Sequence, residues 1–171
     1  LGNLFISDSN NHTIRKIDPQ GNVTTIAGLA GNHGSSDGNG ANGRFSGPIG
    51  IAVDTSGNLF VADTRNSTIR KVDPQGNVTT IAGLDGTNVA VDGVGANARF
   101  NGLSGITADS SGNLFVADSD NRTIRKIDPQ GNVTTIAGLA GTPGSADENG
   151  ANARFYKPSG IAADSSGNLF V

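Results

Sequence analysis

The chain has no cysteine, methionine or tryptophan, one tyrosine and two histidines among its 171 residues. Without cysteine, disulfides and thiolate metal sites are excluded, and redox chemistry favours neither side of a membrane. Aromatic residues are 5% of the chain and the net charge is -3. It therefore lacks the stacking groups and the positive field with which a protein reads nucleic acid. No run approaches the ~18 apolar residues of a membrane-spanning helix, and no signal peptide is present. Nucleic acid and membrane are set aside as partners, and nothing calls for a cofactor.

Glycine is what the chain has in excess, 26 residues, and its placement is periodic. Gly57-Asn58-Leu59-Phe60-Val61 recurs as Gly112-Asn113-Leu114-Phe115-Val116 and Gly167-Asn168-Leu169-Phe170-Val171, with Gly2-Asn3-Leu4-Phe5-Ile6 at the start, always 55 residues apart. A fixed period of this size signals a repeat architecture. Between Gly57 to Gly86 and Gly112 to Gly141 only five of thirty positions differ. Such sameness reads as scaffold, because an active site on a pseudo-symmetric framework must break the symmetry.

Each unit spells four short strands. In the second copy these are IGIAVD from Ile49, LFVAD from Leu59, TIRKVD from Thr68 and VTTIAG from Val78, followed by a long polar loop. Asp73-Pro74-Gln75-Gly76 reads as a type I turn with a bulge, since proline presets the first turn position and glycine supplies a left-handed residue. Asp109-Ser110-Ser111-Gly112 follows the same logic, so the sheet is an antiparallel meander. Leu59 and Val61 point one way and Phe60 and Ala62 the other, which makes both faces apolar. Sheets buried on both sides by identical neighbours are blades of an all-β propeller, whereas a β-helix has shorter rungs without hairpin turns. Gly50, Ile51, Ala52 and Val53 suit the crowded innermost strand. The blades are expected over residues 3–28, completed by 159–164, then 49–83 and 104–138, with 167–171 a redundant start of a further repeat.

The pattern Pro-x-Gly-Ile-Ala-x-Asp (Pro158 to Asp164), Gly-Asn-Leu-Phe-Val-Ala-Asp (Gly57 to Asp63) and Asn-x-x-Ile-Arg-Lys (Asn66 to Lys71) resembles the NHL repeat of six-bladed β-propellers. It is most similar to the bacterial variety with a Gly-rich insertion, here Asp92 to Phe100, before the next inner strand. The resemblance implies six blades, of which this chain holds three. A homodimer joined head to tail would close the ring. The alternative is a longer array, which fits termini that fall inside a repeat.

Some members of the wider group resemble lyases or hydrolases that hold a metal with several histidines. Here His12 and His33 do not recur: their equivalents are Ser67 and Arg122, and Asn88 and Pro143. Read as an exposed turn residue on a different loop from His33, His12 builds neither a three-ligand site nor a triad. No catalytic residue is assigned. Asp37, Asp92 and Asp147, in Asp-Gly-x-Gly or related stretches, are weak calcium candidates. They read better as ordering their own loops, by accepting backbone donors or pairing with Arg44, Arg99 or Arg154, while Phe45, Phe100 and Phe155 anchor those loops between blades. Asp8, Asp63 and Asp118, three residues before Asn11, Asn66 and Asn121, read as turn-stabilising acceptors of nearby backbone amides. Six Asn-x-Thr sequons, at Asn11, Asn22, Asn66, Asn77, Asn121 and Asn132, are glycosylation candidates that repetition of turn and strand residues also generates.

Variation between units marks the remaining candidates. The turns between second and third strands carry Asn10 and His12, Arg65 and Ser67, Asp120 and Arg122. The long loops carry Asn32-His33-Gly34-Ser35, Thr87-Asn88-Val89-Ala90 and Thr142-Pro143-Gly144-Ser145, and the third entry to an inner strand carries Tyr156 and Lys157. Loops varied on a rigid scaffold are where recognition is built. The expected function is a noncatalytic binding or scaffold propeller, extracellular or on a bacterial surface, presenting Asn10, His12, His33, Arg65, Ser67, Asn88, Asp120, Arg122, Tyr156 and Lys157 to a protein or carbohydrate. The alternatives are a structural unit of a surface array and, last, a propeller enzyme.

Overall fold

The structure is a computed structural model that describes residues 2–86 and 88–171. The first sheet contains β1 (Leu4–Asp8), β2 (Thr13–Ile17) and β3 (Val23–Gly28). The second contains β5 (Pro48–Val53), β6 (Leu59–Asp63), β7 (Thr68–Val72) and β8 (Asn77–Gly83), with β4 (Gly38–Asn39) added outside β8. The third repeats this order with β10 (Leu103–Ala108), β11 (Leu114–Asp118), β12 (Thr123–Ile127) and β13 (Asn132–Ala137), and β9 (Gly93–Val94) outside β13. A last hairpin pairs β14 (Ala162–Ala163) with β15 (Leu169–Phe170). The strand pairs are antiparallel, as the hairpin turns require.

Two parts differ from the sequence reading. The stretch taken as polar loop supplies a fifth, two-residue strand, in the registers Gly38↔Val78 and Asn39↔Asn77. Crossing the outer edge of the blade, this stretch satisfies backbone groups of β8 that would otherwise face water. Residues 159–164, expected to complete the first blade of a second copy, form a hairpin of their own within this chain. Ala162 pairs with Phe170 and Ala163 with Leu169, so the stretch read as redundant is the partner strand, held by the local turn in which Gly167 N–H donates to Asp164 O.

Turn chemistry is uniform and goes beyond its proline and glycine. Gly76 has φ +83° and its N–H donates to Asp73 O at 2.9 Å. The Asp73 carboxylate then accepts the N–H groups of Gln75 and Asn77 through one oxygen and the Asn77 side-chain amide through the other. Asp18, Asp54, Asp109, Asp128 and Asp164 repeat this arrangement.

The register explains why both faces of a sheet are apolar. Leu59↔Val72 and Val61↔Arg70 lie on one face, and Ala62↔Ile69 on the other. The first face joins Leu59, Val61, Val72 and Val78 to Ile14 and Ala27 of the preceding sheet around Phe45. The second joins Ala62, Ile69 and Ala82 to Leu103, Ile106 and Val116 of the following sheet around Phe100. Phe45 and Phe100 are fully buried between sheets, as expected of loop anchors, and Phe155 is half-buried.

Adjacent inner strands meet through glycine. Gly105 N–H donates to Ser159 O at 2.7 Å, and a Cβ built on Gly105 would collide with that backbone oxygen. A Cβ built on Gly50 would likewise collide with Ser104 O. We expect Gly105→Ala to lower the unfolding free energy by about 1–3 kcal/mol, since the backbone of residues 159–161 leaves the methyl no room. Chemical denaturation of both proteins measures it, with Gly131→Ala unsuitable as a control because Gly131 has φ +82°.

Candidate functional site

A turn of 3-10 helix joins the second and third strands of the first two blades, Ser9–Asn11 and Thr64–Asn66, and residues 119–122 make the equivalent turn of the third. Each ends in a non-glycine residue in the left-handed region: His12 (φ 59°), Ser67 (φ 53°) and Arg122 (φ 63°). The N–H of each closes the turn onto Ser9 O, Thr64 O or Ser119 O. Three variable positions therefore share one strained backbone geometry, and the backbone bond holds it whatever the side chain.

Two of these residues are not exposed, contrary to expectation. His12 is buried, and its Nδ1 accepts the Gly47 N–H at 3.1 Å. That bond puts the neutral ring's proton on Nε2, which then has no lone pair for a metal. His33, expected on a separate loop, lies beside it with the ring planes at 77° and centroids 5.8 Å apart. Ser67 is likewise buried. Asn10, His33, Arg65, Asn88, Asp120, Tyr156 and Lys157 are exposed and Arg122 is half-buried. Thr87 lies outside the described residues.

The structure brings three of the exposed candidates to one end of the blades, where the turns meet the starts of the inner strands. Arg65 lies over Gly47 and Asp120 over Gly102, where any side chain on either glycine would collide with them. Lys157 Nζ stands 3.3 Å from Asp120 Oδ1. A pocket of ≈ 410 Å³ opens there, lined by residues of the second and third blades and of the next inner strand, among them Ile49, Thr64, Ser104, Asp120, Lys157 and Ser159. Beneath it Ser119 Oγ donates to Pro158 O, as Ser9 Oγ does to Pro48 O at 2.5 Å.

The recurring charged residues are committed to the scaffold. Arg70 is fully buried; one terminal nitrogen donates to Asp63 Oδ2 (2.9 Å) and Arg44 O (2.8 Å), the other to Asp37 Oδ1 (2.8 Å) and Ser36 O (3.0 Å). Arg125 repeats this with Asp118, Arg99 O, Asp92 and Val91 O. The guanidinium carbons lie 5.4 Å and 5.0 Å from the centres of the Phe45 and Phe100 rings. The loop aspartates Asp37 and Asp92 thus pair with strand arginines, not with Arg44 and Arg99, and Arg44, Arg99 and Arg154 bond backbone carbonyls of their own loops instead. Their carboxylates are filled by Arg and by Thr80 or Thr135, so the calcium candidates Asp37 and Asp92 are spent on protein donors. Asp147 is exposed.

Asp63 and Asp118 are also more than turn residues. Each is fully buried in a salt bridge, and each accepts a distant backbone N–H, from Ser46 at 2.7 Å and Asn101 at 2.8 Å. Asn66 and Asn121 donate their amides to these carboxylates and are buried. A glycan on Asn66 or Asn121 would have to break that bond. Asn22, Asn77 and Asn132 are exposed but donate their amides to turn aspartates, as exposed Asn11 does to Asp8.

Two sets of carboxylates respond oppositely to pH. Burial pushes Asp63 up to about 6 against the bonds from Ser46, Asn66 and Arg70, and moves Asp118 in the same direction. The Asn77 amide and N–H hold Asp73 below the usual range, and those of Asn132 do so for Asp128. At Asp37 and Asp92 partial burial is outweighed by Thr80 or Thr135 and the arginine. The raised pair stabilises the fold below the unfolded value of 3.8, and that contribution is lost as pH rises, for Asp63 through about 6. The lowered set stabilises above 3.8, and its contribution is lost as pH falls further. Thermal unfolding should therefore show greatest stability at about pH 4 with a decline as pH rises to about 6, and Asp63→Asn should flatten that decline.

The family model described as NHL repeat matches residues 45–78. NHL repeat-containing protein 2 of Bos taurus is 36% identical over 137 residues, 73% of this chain and 19% of that protein. A solved Bacteroides thetaiotaomicron protein of unknown function is 25% identical with a TM-score of 0.80, over 98% of this chain and 40% of that one. An auxiliary nutrient binding protein of the same organism shares the fold at 22% identity, TM-score 0.73, over 96% of this chain and 41% of that one. The chain thus spans about a fifth of the length of its curated relative and two-fifths of the solved ones. Residues 45–78 run from the buried Phe45 through all four strands of the second blade, and the other units repeat them, so the chain belongs to the NHL-repeat β-propellers.

Proposed function

We propose that the chain is a noncatalytic binding propeller that presents the turns between second and third strands, with the entries to the inner strands, to a protein or carbohydrate ligand outside the cell. The observation that carries this is a division of labour. Residues repeated in every unit spend their hydrogen bonds on the scaffold, as Arg70, Asp63 and Asp37 do. Of the residues that vary, Asp120 and Lys157 line an open pocket, and Arg65 lies over Gly47 in the equivalent turn of the second blade. A rigid frame with varied loops is the usual construction of a recognition surface. A shared fold with a protein described as nutrient binding supports a binding role at the level of fold.

The test is a glycan array together with immobilised mucin and collagen, probed with the wild type and with the triple variant Arg65→Ala, Asp120→Ala, Lys157→Ala. Binding by the wild type that the variant loses supports the reading. Binding that the variant retains, or none to any probe, overturns it.

A further inference from the structure

We propose that the pocket between the second and third blades is a saccharide site, in which Asp120 and Lys157 together recognise a vicinal diol of a neutral sugar. The inference rests on the binding-module reading and narrows its ligand to one class.

The pocket, ≈ 410 Å³, is in the range that encloses a small ligand. Its charged rim occurs once in the described chain. The position of Asp120 is Arg65 in the second unit and Asn10 in the first, and that of Lys157 is Gly102 and Gly47. The other units place a bare glycine where Lys157 stands, so the repeat symmetry is broken here, as a ligand site requires.

The chemistry of the pair selects the ligand. Asp120 Oδ1 and Lys157 Nζ are 3.3 Å apart, close to the spacing of neighbouring gauche hydroxyl oxygens on a pyranose ring, and their side chains are 46% and 67% exposed. One hydroxyl of a diol donates to the carboxylate while its neighbour accepts from the ammonium, and both bonds are charge-assisted. A neutral diol bridges the pair without breaking it, whereas an anionic or cationic ligand must displace one partner from the other. Ile49, 53% exposed on the same wall, offers an apolar patch to a C–H face of the sugar, and Thr64 and Ser159 line the pocket with further hydroxyls. Asp120 also lies against Gly102, which holds the carboxylate over the pocket before any ligand arrives.

Ligand-observed NMR titration with glucose, galactose, mannose and their disaccharides tests this on the wild type, Asp120→Ala, Lys157→Ala and Lys71→Ala. Lys71 lines a groove formed with the Asp128–Pro129–Gly131 turn and is absent from this pocket. Melting temperatures show that each variant is folded. Sugar binding weakened about tenfold or more by each of the first two variants and unchanged by the third supports the proposal. Sugar binding that survives Asp120→Ala and Lys157→Ala overturns this site and leaves the binding-module reading standing. Capture of mucin or collagen through the same side chains with no free sugar bound overturns the ligand class alone. No binding to any sugar or immobilised probe overturns both readings.

Discussion

Replacing Arg70 by methionine is expected to lower the unfolding free energy by about 3–5 kcal/mol, the cost of breaking a buried ion pair by removing one partner. Methionine fills much of the volume, so the loss is electrostatic more than a matter of packing. Arg70 satisfies Asp63, which is fully buried, and also holds the carbonyls of Ser36 and Arg44, so the variant leaves a buried carboxylate short of a donor and frees two loop carbonyls. Asp37 suffers less, because its side chain is 51% exposed and rehydrates. Arg125→Met should cost the same, since its bonds match in kind and length. Arg15→Met is the internal control. The same residue of the same repeat there reaches Asp8 only at 3.4 Å, with side chains 39% and 25% exposed, so its loss should cost about 1 kcal/mol or less. The double variant Arg70→Met, Asp63→Leu should be destabilised by less than the sum of the single changes, because it removes the stranded charge along with its partner. Urea unfolding of the wild type, the double variant and the single variants, Asp63→Leu among them, tests this. Equal losses at Arg15 and Arg70 would show that burial does not set the cost.

The contrast between Arg15 and Arg70 also marks what the sequence could reveal. A 55-residue period, a strand alternation apolar on both faces and a turn proline and glycine are local signals, and each found its counterpart: β5 to β8, the clusters around Phe45 and Phe100, the left-handed Gly76. Arg70 and Asp37 are 33 residues apart, and Asp63 accepts the Ser46 N–H across 17. No periodicity within a strand reports such partners. In Thr-Ile-Arg-Lys the arginine reads like any solvated strand charge. Its burial follows only once the Gly-rich stretch is folded back over the outer strand. His12 shows the same limit, because its Nδ1 is taken by Gly47 from another blade. For the candidate site, repeat-to-repeat variation marked Arg65, Asp120 and Lys157, which the structure places exposed in turns and at an inner-strand entry. It could not tell them from Ser67 and His12, which end turns of the same kind but are buried.

Removing the Phe100 ring should be as costly as removing Arg70, for a different reason. Phe100→Ala is expected to lower stability by about 3–5 kcal/mol, from lost apolar burial and from the cavity that remains. The ring is fully buried among Ala62, Ile69 and Ala82 of one blade and Leu103 and Ile106 of the next, so neither sheet can close the gap alone. It also lies 5.0 Å from the Arg125 guanidinium carbon, on a side chain whose buried Nε has no hydrogen-bond partner among the described residues. Ring and guanidinium, both fully buried, should therefore be coupled: Phe100→Ala in an Arg125→Met background should cost less than in the wild type, by up to about 2 kcal/mol. Phe155→Ala should cost less than Phe100→Ala, since Phe155 is only half-buried. Because Phe100 and Arg125 help the β9–β13 pairing and the Asp92–Thr135 bonds fasten the β8 to β10 loop to the third blade, the damage should appear first in that loop. Limited proteolysis of Phe100→Ala should cut between residues 84 and 99 under conditions that leave the wild type intact, before global unfolding is seen by circular dichroism. Cutting first within the β11 to β13 strands would mean that the phenylalanine supports the blade itself, and that the loop stays fastened without it.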